Sequence, residues 1–308
     1  MFKWSGDEEE FGIYRSFGFA SFELPIFPEF YNFVTETANN KIKATAELVK
    51  KNYIKTTEEG FALFKSGGDT ALEHKKISPS TRGGEHSISF YVENPIDYVV
   101  RPYTVSDGVY FYGEEYKWVD LGLSVLWAKY NVGATSPEEY GGYYAWGEIE
   151  EKTYYGTNNY KYSTLSNDGY WTGSYIGADI SGTQYDVAYV QWGEGARMPR
   201  ITEFEELINN CTYQHTTYKN IVGVWFTGPN GNKLFVPMAG SRFWDEYESQ
   251  GYDGLYWTSN YYELTSKYAS CLELDGGDIG ELDIWIYHDR KYIGNSIRPV
   301  KDKSYQSK

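Results

Sequence analysis

The residues best suited to chemistry lie near the C-terminal end, in Asp283-Ile284-Trp285-Ile286-Tyr287-His288-Asp289, followed by Arg290 and Tyr292. In an extended strand successive side chains point to opposite faces. Ile284 and Ile286 then fall on one face, and Asp283, Trp285, Tyr287 and Asp289 on the other. The second set is an array of rings and carboxylates. Rings stack on sugar faces or on protein side chains, while Asp, Asn and Arg bond hydroxyls and amides. Tyr256, Trp257, Asn260, Tyr261 and Tyr262 repeat the mixture a little earlier. These residues are the candidate ligand-binding set; the competing reading packs the same rings on the N-terminal part or on a neighbouring subunit.

Other chemistries are less well supplied. The run Glu273-Leu274-Asp275-Gly276-Gly277-Asp278-Ile279-Gly280-Glu281-Leu282-Asp283 offers oxygens on a Gly-flexed segment, as calcium requires, but its spacing is not that of an EF-hand. A solvated acidic hairpin loop is the alternative, and no cofactor is expected. The four histidines, His74, His86, His215 and His288, neither repeat at metal-binding spacing nor accompany a nucleophile motif. Cys211 and Cys271 are either one bridge or two inert thiols, and neither has a basic neighbour that would activate it. The chain is therefore expected not to be an enzyme.

The elements that must position the candidate set follow from composition and periodicity. The 308 residues carry 28 Lys and Arg against 43 Asp and Glu, a net charge of −15, with no extended basic run, so nucleic acid is not an expected partner. No segment has the apolar length of a membrane span, and the first residues do not read as a secretion signal. Of the 32 Tyr all but six, and of the 10 Trp all but Trp4, lie beyond about residue 110. The composition thus predicts an N-terminal attachment or oligomerisation domain over 1–110, a ligand-binding domain over 111–302 and a polar tail over 303–308.

In the first of these, Gly12 to Leu24 reads as a strand closed by Pro25 and Pro28. The stripe Phe30, Val34, Ala38, Ile42, Ala46, Val49 and Tyr53 predicts one long helix from Pro28 to Tyr53, whose face is either a core face or a self-association seam. A second, short helix is predicted over Thr57–Lys65, ended by Gly67-Gly68, then an exposed loop over 66–85. Ser87–Val92 and Asp97–Val100 read as strands, and Asp107-Gly108 as a turn. Farther on, Met198-Pro199 with Thr202 and Glu205 reads as a capped helix start, with Phe204, Leu207 and Ile208 as its buried stripe and Asn209-Asn210 as its end. The fold class expected from all this is α+β.

Blocks in the second part carry a resemblance. They run in order from Tyr116-Lys117-Trp118-Val119-Asp120-Leu121-Gly122-Leu123-Ser124-Val125-Leu126-Trp127-Ala128, through Tyr140-Gly141-Gly142-Tyr143-Tyr144-Ala145-Trp146-Gly147-Glu148 and Ala196-Arg197-Met198-Pro199, to Phe235-Val236-Pro237-Met238-Ala239-Gly240, Tyr256-Trp257-Thr258-Ser259-Asn260 and Ile293-Gly294-Asn295-Ser296-Ile297-Arg298-Pro299-Val300. This part resembles C-type-lectin-like domains of the formylglycine-generating-enzyme variety, as found on surface proteins of Bacteroides-type bacteria and on their phages. The resemblance implies short strands and long loops with one or two helices, and a ligand-binding end; the oxidase chemistry of the formylglycine-generating enzymes is not carried over, because neither Cys211 nor Cys271 has a basic neighbour. It also implies a receptor-binding or adhesion role, in a phage tail or head fibre at the virion surface or, alternatively, at a bacterial cell surface. The expected partners are a bacterial surface glycan or protein, further copies of the chain in a homo-oligomer such as a trimer, and other virion or surface-structure proteins held through the N-terminal domain. In systems with diversity-generating retroelements the diversified segment would correspond to about Gly254 to Pro299. The alternative role is a structural virion or fimbrial subunit whose lectin-like domain only makes subunit contacts.

Overall fold

The computed structural model describes residues 29–38, 40–49, 56–66, 68–77, 85–113, 116–165, 171–193, 195–277 and 281–303. The strand reading of Gly12–Leu24 and most of the polar tail lie outside the described residues. Within them the chain is mostly β, with 22 strands and two α-helices, so the α+β expectation is corrected.

The long helix over Pro28–Tyr53 is instead an antiparallel hairpin of β1 (Glu29–Ala38) and β2 (Lys41–Val49), in register from Glu29↔Val49 to Ala38↔Lys41. The misreading has a physical cause. Phe30, Val34, Ala38, Ile42 and Ala46 are four apart, and a spacing of four satisfies a period of 2 as well as a period near 3.6. Ile42, Ala44, Ala46 and Leu48 are all buried, which only the strand period explains. Thr35, Thr37, Thr45 and Val49 add β-branched residues, and the register closes the hairpin at Ala38↔Lys41.

The predicted second helix is also a strand, β3 (Glu58–Lys65), buried on both faces because Phe61 and Leu63 join one apolar cluster and Ala62 and Phe64 another. The stretch expected as a loop contains β4 (Ala71–Lys76). With β5 (Glu85–Tyr91), β6 (Tyr98–Ser106) and β7 (Val109–Tyr112) these form two sheets, ordered β1-β2-β5 and β4-β3-β6-β7. One apolar cluster draws Ile42, Ala44 and Phe90 from the first and Phe61, Leu63 and Val100 from the second, so the sheets pack face to face. Asp107 and Gly108 both have positive φ, 50° and 80°, as a tight two-residue hairpin turn between β6 and β7 requires.

Beyond residue 116 the strands are short and the loops long. β8 (Trp118–Asp120) and β9 (Val125–Ala128) lead into a loop region with the small hairpin β10 (Ser163–Leu165) and β11 (Trp171–Gly173). Helix α1 (Val187–Trp192), β12 (Ala196–Arg197) and helix α2 (Ile201–Asn210) follow. The capping differs from the Thr202 and Glu205 expectation: the Arg200 amide donates to Glu203 Oε2 at 2.7 Å, and the Ile201 amide to Asn260 Oδ1 at 2.8 Å. Phe204 and Leu207 are buried, and the helix ends at Asn210. Next come β13 (Thr212–Tyr218), β14 (Ile221–Thr227), β15 (Lys233–Pro237), β16 (Ser241–Phe243) and β17 (Glu246–Glu248). The chain closes through β18 (Asp253–Tyr261), β19 (Tyr268–Gly276), β20 (Leu282–Arg290), β21 (Gly294–Asn295) and β22 (Val300–Asp302).

Two cores flank the antiparallel sheet β18-β19-β20. On one face Tyr256, Leu272 and Leu274 join Trp127, Phe204, Leu207 and Phe226; on the other Trp257, Ala269 and Cys271 join Tyr144, Trp146 and Ile297. Arg298, fully buried, bonds Asn131 Oδ1 at 2.7 Å and the carbonyls of Ala128 and Lys129, which locks the segment before β22 to the end of β9. Its partners are carbonyl and amide oxygens rather than a carboxylate, so burial pulls its pKa down to about 10.

Candidate functional site

Strand β20 is the outer strand of its sheet, with one face on the core and the other partly open. Ile284 and Ile286 lean on the core shared with α2, while Asp283, Trp285 and Tyr287 are exposed, the rings by 37% and 44%. Nine consecutive pairs with β19 fix the neighbours of this outer face: Asp275 opposite Asp283, Glu273 opposite Trp285, Cys271 opposite Tyr287 and Ala269 opposite Asp289. From β18, Asp253 pairs with Asp275. The face therefore carries five carboxylates around two exposed rings.

Crowding shows in their proton affinity. Burial, then the charges of Asp275, Asp253 and Asp289, raise Glu273 above the ordinary carboxyl range, and a hydrogen bond from Trp285 opposes the rise. Asp289 is pushed up to about 6, chiefly by burial, against the Arg290 amide that donates to its Oδ1 at 2.7 Å. None of the five forms an ion pair among the described residues.

Three members of the candidate set are core residues and are corrected as such. Tyr256 is fully buried and its hydroxyl donates to the Pro237 carbonyl at 2.5 Å. Trp257 is fully buried with its indole N–H on the Tyr144 carbonyl at 2.8 Å. Tyr292 is 6% exposed, inside a cluster with Tyr143, Tyr155 and Tyr160. Strand alternation alone did not reveal this, because loops from far along the chain cover both faces of β18.

The rest divide. Asn260, Tyr261 and Tyr262 are half-buried around a shallow cavity of about 410 Å³ shared with Asp179, Ile201 and Leu264, where Asn260 is already spent as the cap of α2. Tyr262 stacks on His288 with ring centres 3.8 Å apart and 14° between planes. Arg290 is exposed and hydrogen-bonds Tyr268 and Tyr292.

Two features escaped the sequence reading. In the β16–β17 hairpin Trp244 is 53% exposed at φ 54°, a left-handed conformation rare for a bulky residue. It is held there by reciprocal backbone bonds with Tyr155, at 2.7 and 3.0 Å, and by its ring stacked on Phe243 at 4.6 Å. The Arg242 guanidinium lies 4.1 Å from the centre of the exposed Tyr247 ring, and Glu248 adds to the negative field at Asp289. The signal was available: Arg242-Phe243-Trp244-Asp245-Glu246-Tyr247-Glu248 has the same mixture of rings and carboxylates.

The second feature is Lys291, which is fully buried, its Nζ 4.3 Å from the Tyr261 ring centre and 4.7 Å from that of Trp146. The Nζ has no hydrogen-bond partner among the described residues, and burial lowers its pKa to about 8.

Cys211 and Cys271 are free and buried, with burial raising both thiols, Cys211 to about 11. Among the described residues no three or more His, Cys, Asp or Glu side chains are grouped to hold a metal, and Asp278–Gly280 of the calcium segment lie outside them. No helix among the described residues is long and apolar enough to cross a membrane. The chain matches no protein-family model, and no curated protein matches it.

Proposed function

We propose that this chain is a non-catalytic receptor-binding or adhesion protein, a tail or head fibre component at a virion surface, that recognises a bacterial surface glycan or protein. The observation that carries the reading is the outer face of β20, where Trp285 and Tyr287 stand in solvent on a strand whose other face is anchored in the core. Large rings held on a rigid strand make contact at small entropic cost. The resemblance of residues 116–300 to C-type-lectin-like domains supports the same reading. The strands β1–β7 then serve attachment to other virion proteins, and several copies of the chain supply avidity.

The test is adhesion to host cells together with a glycan array, comparing the intact protein with Trp285→Ala and Tyr287→Ala. Binding that both substitutions abolish supports the reading. Equal binding by all three proteins, or self-association lost on substitution with no cell binding, would overturn it in favour of a structural subunit.

A further inference from the structure

We propose that β20 is an acceptor edge for an extended polypeptide segment bearing Lys or Arg side chains, which adds to the sheet as a strand beyond β20. The inference rests on the recognition reading above and names the chemistry of its ligand.

The first observation is the edge. The sheet is ordered β18-β19-β20, and among the described residues no strand pairs with the outer side of β20. Soluble proteins blunt such edges with bulges, prolines, lysines or short length. Over Leu282–Arg290 the pairing with β19 runs through nine residues without a shift, and the strand contains neither Pro nor Lys. By contrast β18 has a register break between Trp257 and Tyr261 and is crossed by bridges from Asp179, Gly240 and Ser296. Within this sheet β20 is the strand that keeps a long, regular edge open among the described residues.

The second observation is what flanks that edge. Asp283, Trp285, Tyr287 and Asp289 recur at every second residue, the spacing at which side chains of an added strand fall on the same face, about 7 Å apart. The rings suit the aliphatic stems and cationic heads of Lys and Arg. Charge decides the sign of the partner. Asp253, Glu273, Asp275, Asp283 and Asp289 share this face, and no Lys or Arg pairs with them among the described residues. Ionised carboxylates only accept hydrogen bonds, and the Trp285 indole is already engaged with Glu273, so beside the Tyr287 hydroxyl the face is dominated by acceptors, repels anions and favours a ligand that brings donors and positive charge. A strand of alternating basic residues supplies cations to the carboxylates and backbone amides and carbonyls to the edge.

The experiment uses the full chain and three fluorescent peptides of about nine residues, a typical strand length: alternating Lys-Thr, alternating Glu-Thr, and the Lys-Thr peptide N-methylated along one edge. Anisotropy is read at low and physiological salt. The Lys-Thr peptide is expected to bind at least about tenfold tighter than the other two, with Asp283→Asn combined with Asp289→Asn and Trp285→Ala combined with Tyr287→Ala each costing about tenfold. Equal binding of the Lys and Glu peptides, undiminished binding of the N-methylated peptide, or no peptide binding would overturn the inference. If a glycan array then shows a sugar bound through Trp285 and Tyr287, the recognition reading stands without it. If sedimentation instead shows that the same substitutions only dissolve a self-assembly, both fall.

Discussion

Strands β18 and β20 belong to one three-stranded sheet and are built from similar residues, yet they do opposite work. Tyr256 and Trp257 on β18 bury their rings in the two cores and spend their polar atoms on the carbonyls of Pro237 and Tyr144. Trp285 and Tyr287 on β20 keep theirs in solvent, although they pair across β19 on the same face as Trp257. Residue type does not separate the two pairs. What separates them is what arrives from elsewhere in the chain: the segments around Tyr144, Gly240 and Ser296 cover β18, whereas on the outer face of β20 burial reaches Asp289 but leaves Trp285 and Tyr287 exposed. An aromatic residue on a strand is a site only where the rest of the fold leaves it alone.

The sharpest break of this comparison is a pair of truncations. Trp257→Ala removes a fully buried ring and its hydrogen bond and is expected to cost about 3–5 kcal/mol, while Trp285→Ala, at a partly exposed ring, is expected to cost about 1 kcal/mol. Chemical denaturation of both variants measures the difference. Similar losses would mean that β20 is as embedded as β18, and the binding reading would lose its basis.

Next in size is Lys291, at the far side of the core that Trp257 fills. Its folded pKa of about 8 lies below the ordinary 10.5, so burial penalises the charged form, and the penalty is fully present below about pH 8. Lys291→Met is therefore expected to stabilise the protein at pH 7, by at most roughly 3 kcal/mol, less what the Trp146 and Tyr261 ring faces return. Between about pH 8 and 10.5 the unfolded chain binds more protons than the folded one, so wild-type stability rises and the gain from the substitution shrinks. Denaturation midpoints of both proteins from pH 7 to 11 test the sign. A gain independent of pH would mean that the amine is not held charged in the core.

These contrasts also say how much could be read in the amino-acid sequence. The alternation Asp283-Ile284-Trp285-Ile286-Tyr287 is local, and both its inner and its outer face were legible. Helix α2 was legible too, because Phe204, Leu207 and the terminal Asn209-Asn210 are local signals, although its cap was misassigned when Glu203 rather than Glu205 folded back. The β1–β2 hairpin was not, since apolar residues four apart fit a helix and a strand equally and only the burial of Ala44 and Leu48 separates the two. Tyr256, Trp257 and Lys291 were illegible for another reason: the groups that bury them lie up to 145 positions away, and no window along the chain contains them.

The smallest effect sharpens the comparison at the open strand itself. Asp289 stands at the β20 end of the row shared with Ala269 and Tyr261, near Arg290, Glu248, Glu273 and Asn295. Its folded pKa is about 6 against the ordinary 3.8, so it is the neutral form that folding favours. Stability from this group is gained as pH falls from about 6 toward 4, where the folded chain binds the extra proton, and is absent above pH 6. The same protonation removes one negative charge from the outer face, so a basic ligand is expected to weaken by several-fold between pH 7 and 5 even as the fold tightens. Carboxyl chemical shifts followed from pH 8 to 3 give the midpoint, and Asp289→Asn should flatten both the binding and the stability profile over that window. A midpoint near 4 would place Asp289 fully in water and would mean that the β20 face is as open at its end as it is at Tyr287.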